Sequence, residues 1–373
     1  MLRAYKAELN PNNIEKGFFR RCAGVARYVY NYALAESRRR YDAGEKASFN
    51  RMRVDFTAVK RESCPFVTEV PFAVTESAFR NAERAFKNFW RNRKHFGYPN
   101  FKNRNSRRSF QVRNLGILDD AVRITGLGWV RLKERGYIPT DATEYGVYAT
   151  VSEQAGRWFV SILVEDVEPN LPATTGEVIG VDLGLKTLAT CSDGTVFENP
   201  KALAVGQRKI SRLNREMSRR VKGGKNWRKT KSKLQRAHAR VGNVRKDALH
   251  NVSHELTVGK RPTVLVIEDL NVKGMTSNHS LARAVSDASM GELRRQIEYK
   301  GGWYGVRVEL ADRWYPSSKT CSVCGKVKGA LSLSVREFVC DGCGAVIDRD
   351  YNAACNLALL ERRNTPGLSG ELA

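Results

Sequence analysis

Asp182 closes the apolar run Val178-Ile179-Gly180-Val181, and Glu268 closes a second, Val264-Leu265-Val266-Ile267. Both runs read as buried strands, so each acid emerges from a sheet core. Two ionised carboxylates so placed repel each other unless a cation compensates, and a divalent metal is the usual resolution. A third acid comes from VIDRDYNAACNLAL (346–359), where acidic residues precede an Ala- and Leu-rich helix. Carboxylates from three separated elements can hold a pair of Mg²⁺ ions about 4 Å apart, one activating water and the other stabilising a leaving oxygen. Asp269 competes with Glu268, although neighbouring strand residues point to opposite faces. Asp348 competes with Asp350, and helical phase does not separate them, because a turn lies at that point.

Cysteine spacing supplies a second chemistry. Four of the eight cysteines are scattered (Cys22, Cys64, Cys191, Cys355), whereas Cys321-x-x-Cys324 and Cys340-x-x-Cys343 are separated by fifteen residues. Gly325 and Gly344 follow the two pairs and permit tight knuckles with backbone N–H groups facing sulfur. Four thiolates so spaced make a closed tetrahedral Zn²⁺ site, structural because no position is left for substrate. The ribbon lies between Glu268 and Asp350 in the chain and so interrupts the fold that carries the acids. His250 and His254, one helical turn apart, have zinc-like spacing but no evident further ligand.

The elements that must position these groups follow from periodicity. Residues 2–9 form a first strand, and Pro11-Asn12-Asn13 opens a helix whose apolar face is Ile14, Phe18, Cys22, Val25, Val29 and Tyr32. A second helix begins near Thr75 as N-cap, with Val74 and Phe79 as a hydrophobic staple and Phe79, Ala82, Phe86, Phe89 and Trp90 as its core stripe. The segment 101–110 interleaves basic and aromatic residues, a texture suited to phosphate contact and base stacking through Lys102, Arg104, Arg107 and Arg108. From 117 to 165 strands and turns predominate, clearest over 147–167 around the turn 153–156, which fits a small β-barrel that includes the first strand. Residues 171–176 read as a linker. Strands are then expected up to Asp182, over 185–191, after the Ser192-Asp193-Gly194 turn, over 263–270 and over 306–310, with helices over 245–257 and 287–300.

The chain has 373 residues, 64 Lys or Arg against 39 Asp or Glu, a net charge of +25 and a pI near 9.9. A charge that large favours a polyanionic partner, nucleic acid above all. Residues 208–246 hold sixteen Lys or Arg and the single acid Glu216, on a helical background broken at Gly223-Gly224. That imbalance is too lopsided for salt-bridge decoration and makes a phosphate track, with Arg212, Arg219, Lys225, Arg228, Lys229 and Arg236 as its candidate contacts. No apolar run approaches membrane-spanning length. The first residues do not resemble a signal peptide, so no membrane partner is expected and the place of action is the cytoplasm.

Five segments in order, GVDLGLKTLAT (180–190), VIEDLNVKGM (266–275), SDASMGELRRQIEYK (286–300), DRWYPSSKTCSVCG (312–325) and DRDYNAACNLA (348–358), resemble the motifs of TnpB. These are proteins of insertion sequences related to miniature type V CRISPR effectors. The resemblance is strongest over 177–359 and looser over 1–170. It implies an α/β multidomain chain: a wedge β-barrel (1–10 and 97–170), an inserted helical recognition domain (11–96), an RNase H-like RuvC nuclease domain (176–315 and 346–360) interrupted by the zinc ribbon (316–345), which binds target nucleic acid, and a disordered tail (361–373). It also implies catalytic acids at Asp182, Glu268 and Asp350, and a structured guide RNA that pairs with double-stranded target DNA while the protein reads a short flanking motif. Ser77, Arg80 and Lys87 are the candidates for that motif. On this reading the chain is an RNA-guided DNA endonuclease, as monomer or homodimer on its RNA. The alternatives are a transposase or transposition accessory, a guide-directed repressor, and a zinc-ribbon DNA-binding module. A repressor of this kind would lack an active-site acid, and a bare ribbon module would leave the buried-strand acids unexplained.

Overall fold

The computed structural model describes residues 2–45, 48–140, 148–165, 173–332 and 334–364. The chain forms two compact units, Met1–Val167 and Glu168–Ala373. Among the described residues no helix is long and apolar enough to cross a membrane.

In the first unit, β1 (Leu2–Leu9), β7 (Arg157–Glu165), β6 (Ala149–Gln154) and β2 (Ser109–Val112) form an antiparallel sheet in that spatial order. The β6–β7 hairpin turns through Ala155 and Gly156, both at positive φ (52° and 79°), as a tight two-residue hairpin turn requires. A second sheet, β3 (Gly116–Ile117), β4 (Ala121–Ile124) and β5 (Gly128–Arg131), is linked to the first by the bridge Leu9↔Leu132. Among the described residues the expected barrel is therefore two bridged sheets rather than one closed ladder.

Between β1 and β2 the chain makes α1 (Asn13–Asp42), α2 (Phe49–Ser63) and α3 (Phe72–Arg91). Asn12 and Glu15 cap α1 reciprocally, each side chain binding the other's backbone N–H. Phe18, Cys22, Val25 and Val29 face the core, but Ile14, in the first turn, is 80% exposed. The α3 helix starts three residues before the expected Thr75 cap. Pro71 occupies the cap position, and Thr75 instead donates its hydroxyl to the Phe72 carbonyl inside the helix. Trp90, assigned to the core stripe, is 54% exposed with the Arg93 guanidinium 4.3 Å over its ring.

The second unit is built on a mixed five-stranded sheet in the order β10–β9–β8–β11–β12, formed by β8 (Val178–Leu183), β9 (Thr187–Cys191), β10 (Val196–Glu198), β11 (Val264–Glu268) and β12 (Arg307–Ala311). β8, β9 and β10 pair antiparallel, whereas β11 runs parallel to both β8 and β12. One face, with Ile179, Val181, Leu265 and Ile267, packs on α5 (Lys225–His254) and α8 (Met290–Tyr304) through Leu249, Val252, Leu293 and Ile297. The other face, with Val178, Val264 and Val266, packs on α9 (Arg349–Asn364) through Leu357 and Ala358. Alternation along each strand divides the residues between the two layers.

The helix α4 (Ala202–Ser218) makes a hairpin with α5, sealed by Ile210, Leu213, Leu234, Ala237 and Val241. The expected break at Gly223-Gly224 is present, but the separate helix expected over 245–257 is the continuation of α5, which ends in a π turn over Glu255–Gly259. Two short helices, α6 (Val272–Ser277) and α7 (Ala282–Ala288), precede α8, and the short strands β13 (Glu337–Val339) and β14 (Val346–Asp348) pair before α9. α9 extends through 361–364, residues assigned to the tail; 365–373 lie outside the described residues.

Candidate active site and cysteine cluster

The parallel register of β8 and β11 pairs Val266 with Gly180 and Ile267 with Val181, so the next step brings Glu268 beside Asp182 at the carboxyl ends of both strands. Residues paired in register share a face. Here that face is the one that carries Val178 and Val266, beneath α9. Gly180 permits the close approach: a β-carbon on it would meet the Ala354 carbonyl oxygen at 2.0 Å and the Ala358 nitrogen at 2.6 Å. Asp350 lies one turn before Ala354 on the same side of α9. Gly180, with no side chain, thus lets the third acid reach the first two.

Electrostatics reflects this convergence. Burial pushes the Asp182 carboxyl well above its ordinary range, and the charges of Glu268 and Asp350 push it further, against the Arg349 guanidinium. Asp182 keeps some open surface, yet protein surrounds it on most sides. Burial also raises Glu268, opposed by a hydrogen bond from Ser317 Oγ to Glu268 Oε1 (2.5 Å) and assisted by Asp350. Asp350 has Arg349 Nε at 3.4 Å and Arg336 Nη1 at 3.8 Å. A set of oxygen donors in mutual repulsion is chemically suited to a hard divalent cation such as Mg²⁺.

The structure separates the competing acids by their partners. Asp348 Oδ1 accepts the backbone N–H groups of Asp350 and Tyr351 and so caps α9. Asp269 is held by Arg294 (2.5 Å) and Arg313 (2.6 Å), which draw its carboxyl below the ordinary range. Both acids are engaged in holding the fold.

Among the described residues, the four cysteines are the set gathered closely enough to hold an ion as they stand, their sulfurs all within 4.8 Å of one another. Gly325 and Gly344 sit at φ +76° and +73°, and each donates its N–H to the carbonyl of the first cysteine of its pair. Backbone N–H groups of Cys343 and Gly342 draw the Cys340 thiol down to about 6. The Ala345 N–H pulls the Cys343 thiol the same way, but the sulfurs of Cys324, Cys340 and Cys321 carry it up to about 11. Sulfurs that crowd one another while backbone amides favour thiolate fit a tetrahedral Zn²⁺. His250 and His254 do not join a cluster of this kind among the described residues.

The nucleic-acid candidates fare unevenly. Ser77 is 2% exposed and its hydroxyl is bonded to the Val74 carbonyl, so it faces the core instead of a ligand. Arg80 stacks over the Tyr148 ring (4.9 Å) and donates to its hydroxyl, and Lys87 pairs with Glu83 at 2.7 Å. Lys102 has its ammonium 3.9 Å over Tyr30, Arg107 donates to Ser152, and Arg108 pairs with Glu153; Arg104 is exposed. On the hairpin, Arg212, Arg219, Lys225, Arg228, Lys229 and Arg236 are all accessible along its outer side. Arg212, Arg215, Arg219 and Arg220 line a groove around Glu216. Glu216 accepts from Arg220 and from Thr230 Oγ1 (3.1 Å), tying α4 to α5 and leaving the outer face basic. Periodicity reveals buried faces, but it carried no sign of Ser317, Asn352 or Asn356, which act through tertiary bonds.

Family models match residues 159–279 ("Probable transposase", OrfB_IS605), 291–357 (the Cas12f1-like TNB domain) and 1–46 ("Helix-turn-helix domain"). A Streptomyces pristinaespiralis protein, provisionally named an RNA-guided DNA endonuclease, is 39% identical over 366 residues, spanning 95% of this chain and 88% of its own. InsQ of Escherichia coli K12, named in the same provisional way, is 32% identical over 95% of this chain and 91% of its own. The fold is similar to that of Cas12f1 in its complex with single-guide RNA and target DNA, with a TM-score of 0.58 at 15% identity over 91% of this chain and 82% of that one. The chain therefore belongs to the TnpB family of RNA-guided DNA endonucleases encoded by insertion sequences.

Proposed function

We propose that the chain is an RNA-guided endonuclease that hydrolyses target-DNA phosphodiesters with Mg²⁺ held by Asp182, Glu268 and Asp350. The observation that carries this reading is the convergence of the three acids at one end of the mixed sheet, through the β8–β11 register and the close approach of Gly180 to α9. That arrangement supports an RNase H-like RuvC domain, with the cysteine ribbon as a Zn²⁺-bearing insertion between its second and third acids.

Bound Mg²⁺ would supply water activation and charge neutralisation at the leaving oxygen. The protein's own part is to hold the carboxylates where their charge is costly without a cation and to withdraw Asp269 and Asp348 from competition. The exposed basic face of the α4–α5 hairpin suits the backbone of a guide RNA and of the DNA paired with it. The sheets and helices of the first unit correspond to the wedge and recognition domains; Arg104 projects into solvent there, and Lys87 reaches solvent beside Glu83.

Asp182→Ala, Glu268→Gln and Asp350→Asn test the assignment in the guide complex. Each should reduce target cleavage by roughly 10³-fold or more, as loss of transition-state electrostatics does, while guide-dependent target binding persists. Retained cleavage by any one variant removes that acid from the site. The repressor alternative predicts binding without cleavage by the unaltered chain.

A further inference from the structure

The segment between β12 and the first cysteine knuckle makes an unusual set of side-chain bonds. Ser317 is 4% exposed, and its hydroxyl donates to Glu268 Oε1 at 2.5 Å. The Ser317 carbonyl accepts from Asn356 Nδ2 (2.8 Å), which also reaches the Thr320 carbonyl (2.6 Å). Asn352 Nδ2 donates to the same Thr320 carbonyl (2.7 Å), and its Oδ1 accepts the Ser322 N–H (2.9 Å). Asn352 and Asn356 are 0% and 2% exposed, four residues apart on α9. Both are buried on the same side of that helix. Thr320 and Ser322 flank Cys321, itself 1% exposed.

The bonds run without a gap from the residues flanking Cys321, through the two asparagines, to Ser317 and Glu268. Buried amide side chains bonded in this way fix the spacing of what they join, because any displacement strands a polar group away from water. A serine hydroxyl has one hydrogen to donate. Directed at Oε1, it selects one orientation of the Glu268 carboxylate.

We propose that Ser317 is a positioning residue of the nuclease site: held by Asn356, which shares the Thr320 carbonyl with Asn352, it orients Glu268 so that the folded cysteine ribbon sets the carboxylate geometry. This rests on the reading of Glu268 as a Mg²⁺ ligand. It assigns the ribbon a role in metal capture as well as in nucleic-acid contact. It also explains why the polar residues of DRWYPSSKTCSVCG and DRDYNAACNLA face each other.

The test uses the protein–guide RNA complex with Ser317→Ala, Ser317→Thr and Asn356→Ala. Three readouts are taken: cleavage against Mg²⁺ concentration, the shift of the unfolding midpoint on adding Mg²⁺ without DNA, and zinc content with guide-dependent target binding in the absence of added Mg²⁺. Ser317→Ala should need about 10-fold more Mg²⁺ for half-maximal cleavage, in line with loss of a ligand-orienting bond. It should show a smaller Mg²⁺-induced midpoint shift at unchanged zinc content and target binding. Ser317→Thr, which keeps the hydroxyl, should recover most of both, and Asn356→Ala should move both in the same direction. An unaltered Mg²⁺ dependence in Ser317→Ala, or an equal loss in Ser317→Thr, overturns the proposal. If Glu268→Gln cleaves as the unaltered chain does, the nuclease assignment of Glu268 fails first, and that result is distinct from a silent Ser317.

Discussion

Asp182 is a carboxyl group whose ionised form is penalised twice, by burial and by the charges of Glu268 and Asp350. Its folded-state pKa lies above its ordinary value of 3.8, so the folded protein holds that proton more tightly than the unfolded chain does. Without metal, stability conferred by the protonated form is present below the ordinary carboxylate range. It is lost as pH rises from there through the raised folded-state value. Asp182→Asn should therefore raise the unfolding midpoint of the zinc-loaded, Mg²⁺-free protein at neutral pH, by about 2–4 °C for each kcal/mol of repulsion relieved. A calorimetric scan of the zinc-loaded protein without added Mg²⁺ that finds a lower midpoint would contradict the electrostatic account. Asp269 makes the opposite case, since Arg294 and Arg313 stabilise its charge. Asp269→Asn should leave cleavage within about tenfold of the original, because its carboxylate is taken up by two arginines. Loss on the scale of Glu268→Gln in a cleavage assay would exchange the roles of the two neighbours. Asp182 and Glu268 were legible from strand patterning, because an acid ending a buried run is conspicuous. The distinction between Asp348 and Asp350 was not, since it depends on which carboxylate bends back to cap α9.

At the scale of elements, the packing of β8 against α9 rests on a missing side chain. Gly180→Ala places a β-carbon 2.0 Å from the Ala354 oxygen and must push α9, with Asp350, off the sheet. Overpacking of this kind typically costs about 1–3 kcal/mol. A displacement near 1 Å costs roughly 10²-fold in rate. Cleavage should fall to that extent while zinc content stays intact, as metal analysis beside a cleavage assay would show. Removal of zinc by a chelator is expected to unfold the ribbon, because the β13–β14 pair is short and its small core is centred on Cys321, Phe338 and Cys340. Cleavage and the native hydrogen-exchange protection of 316–345 should disappear together. Their survival without zinc would refute a structural metal. The Gly223-Gly224 break was readable because glycine punctuates helices. The merging of the 245–257 segment into α5 was not, because the helix passes from its pairing with α4 at Leu234, Ala237 and Val241 to the sheet at Leu249 and Val252, contacts that local pattern does not carry.

At the scale of the molecule, a net charge of +25 makes binding to nucleic acid a salt-dependent equilibrium. The α4–α5 hairpin buries Ile210, Leu213, Leu234, Ala237 and Val241 between its two helices, while Arg212, Arg219, Lys225, Arg228, Lys229 and Arg236 stay exposed. Replacing Arg212 and Arg219 by glutamine should weaken guide RNA binding across sequences. It should also lower the slope of log K against log salt by about 1 for each phosphate no longer neutralised. An unchanged slope in filter-binding titrations would move the RNA track off this hairpin.

The sequence by itself determined the chemistry that local pattern encodes: two acids ending buried strands, a four-cysteine cluster on two glycine knuckles, a basic helical hairpin, and motifs in family order. Strand alternation, knuckle spacing and charge are properties of neighbours along the chain. Only the tertiary structure decided that Glu268 stands beside Asp182, that α9 reaches both over Gly180, that Ser77 is core, and that Ser317 and two asparagines join the ribbon to the acids. Those facts depend on the register of distant strands, on the close approach of α9, and on hydrogen bonds whose partners lie 30 to 49 residues apart, separations over which local periodicity has no reach.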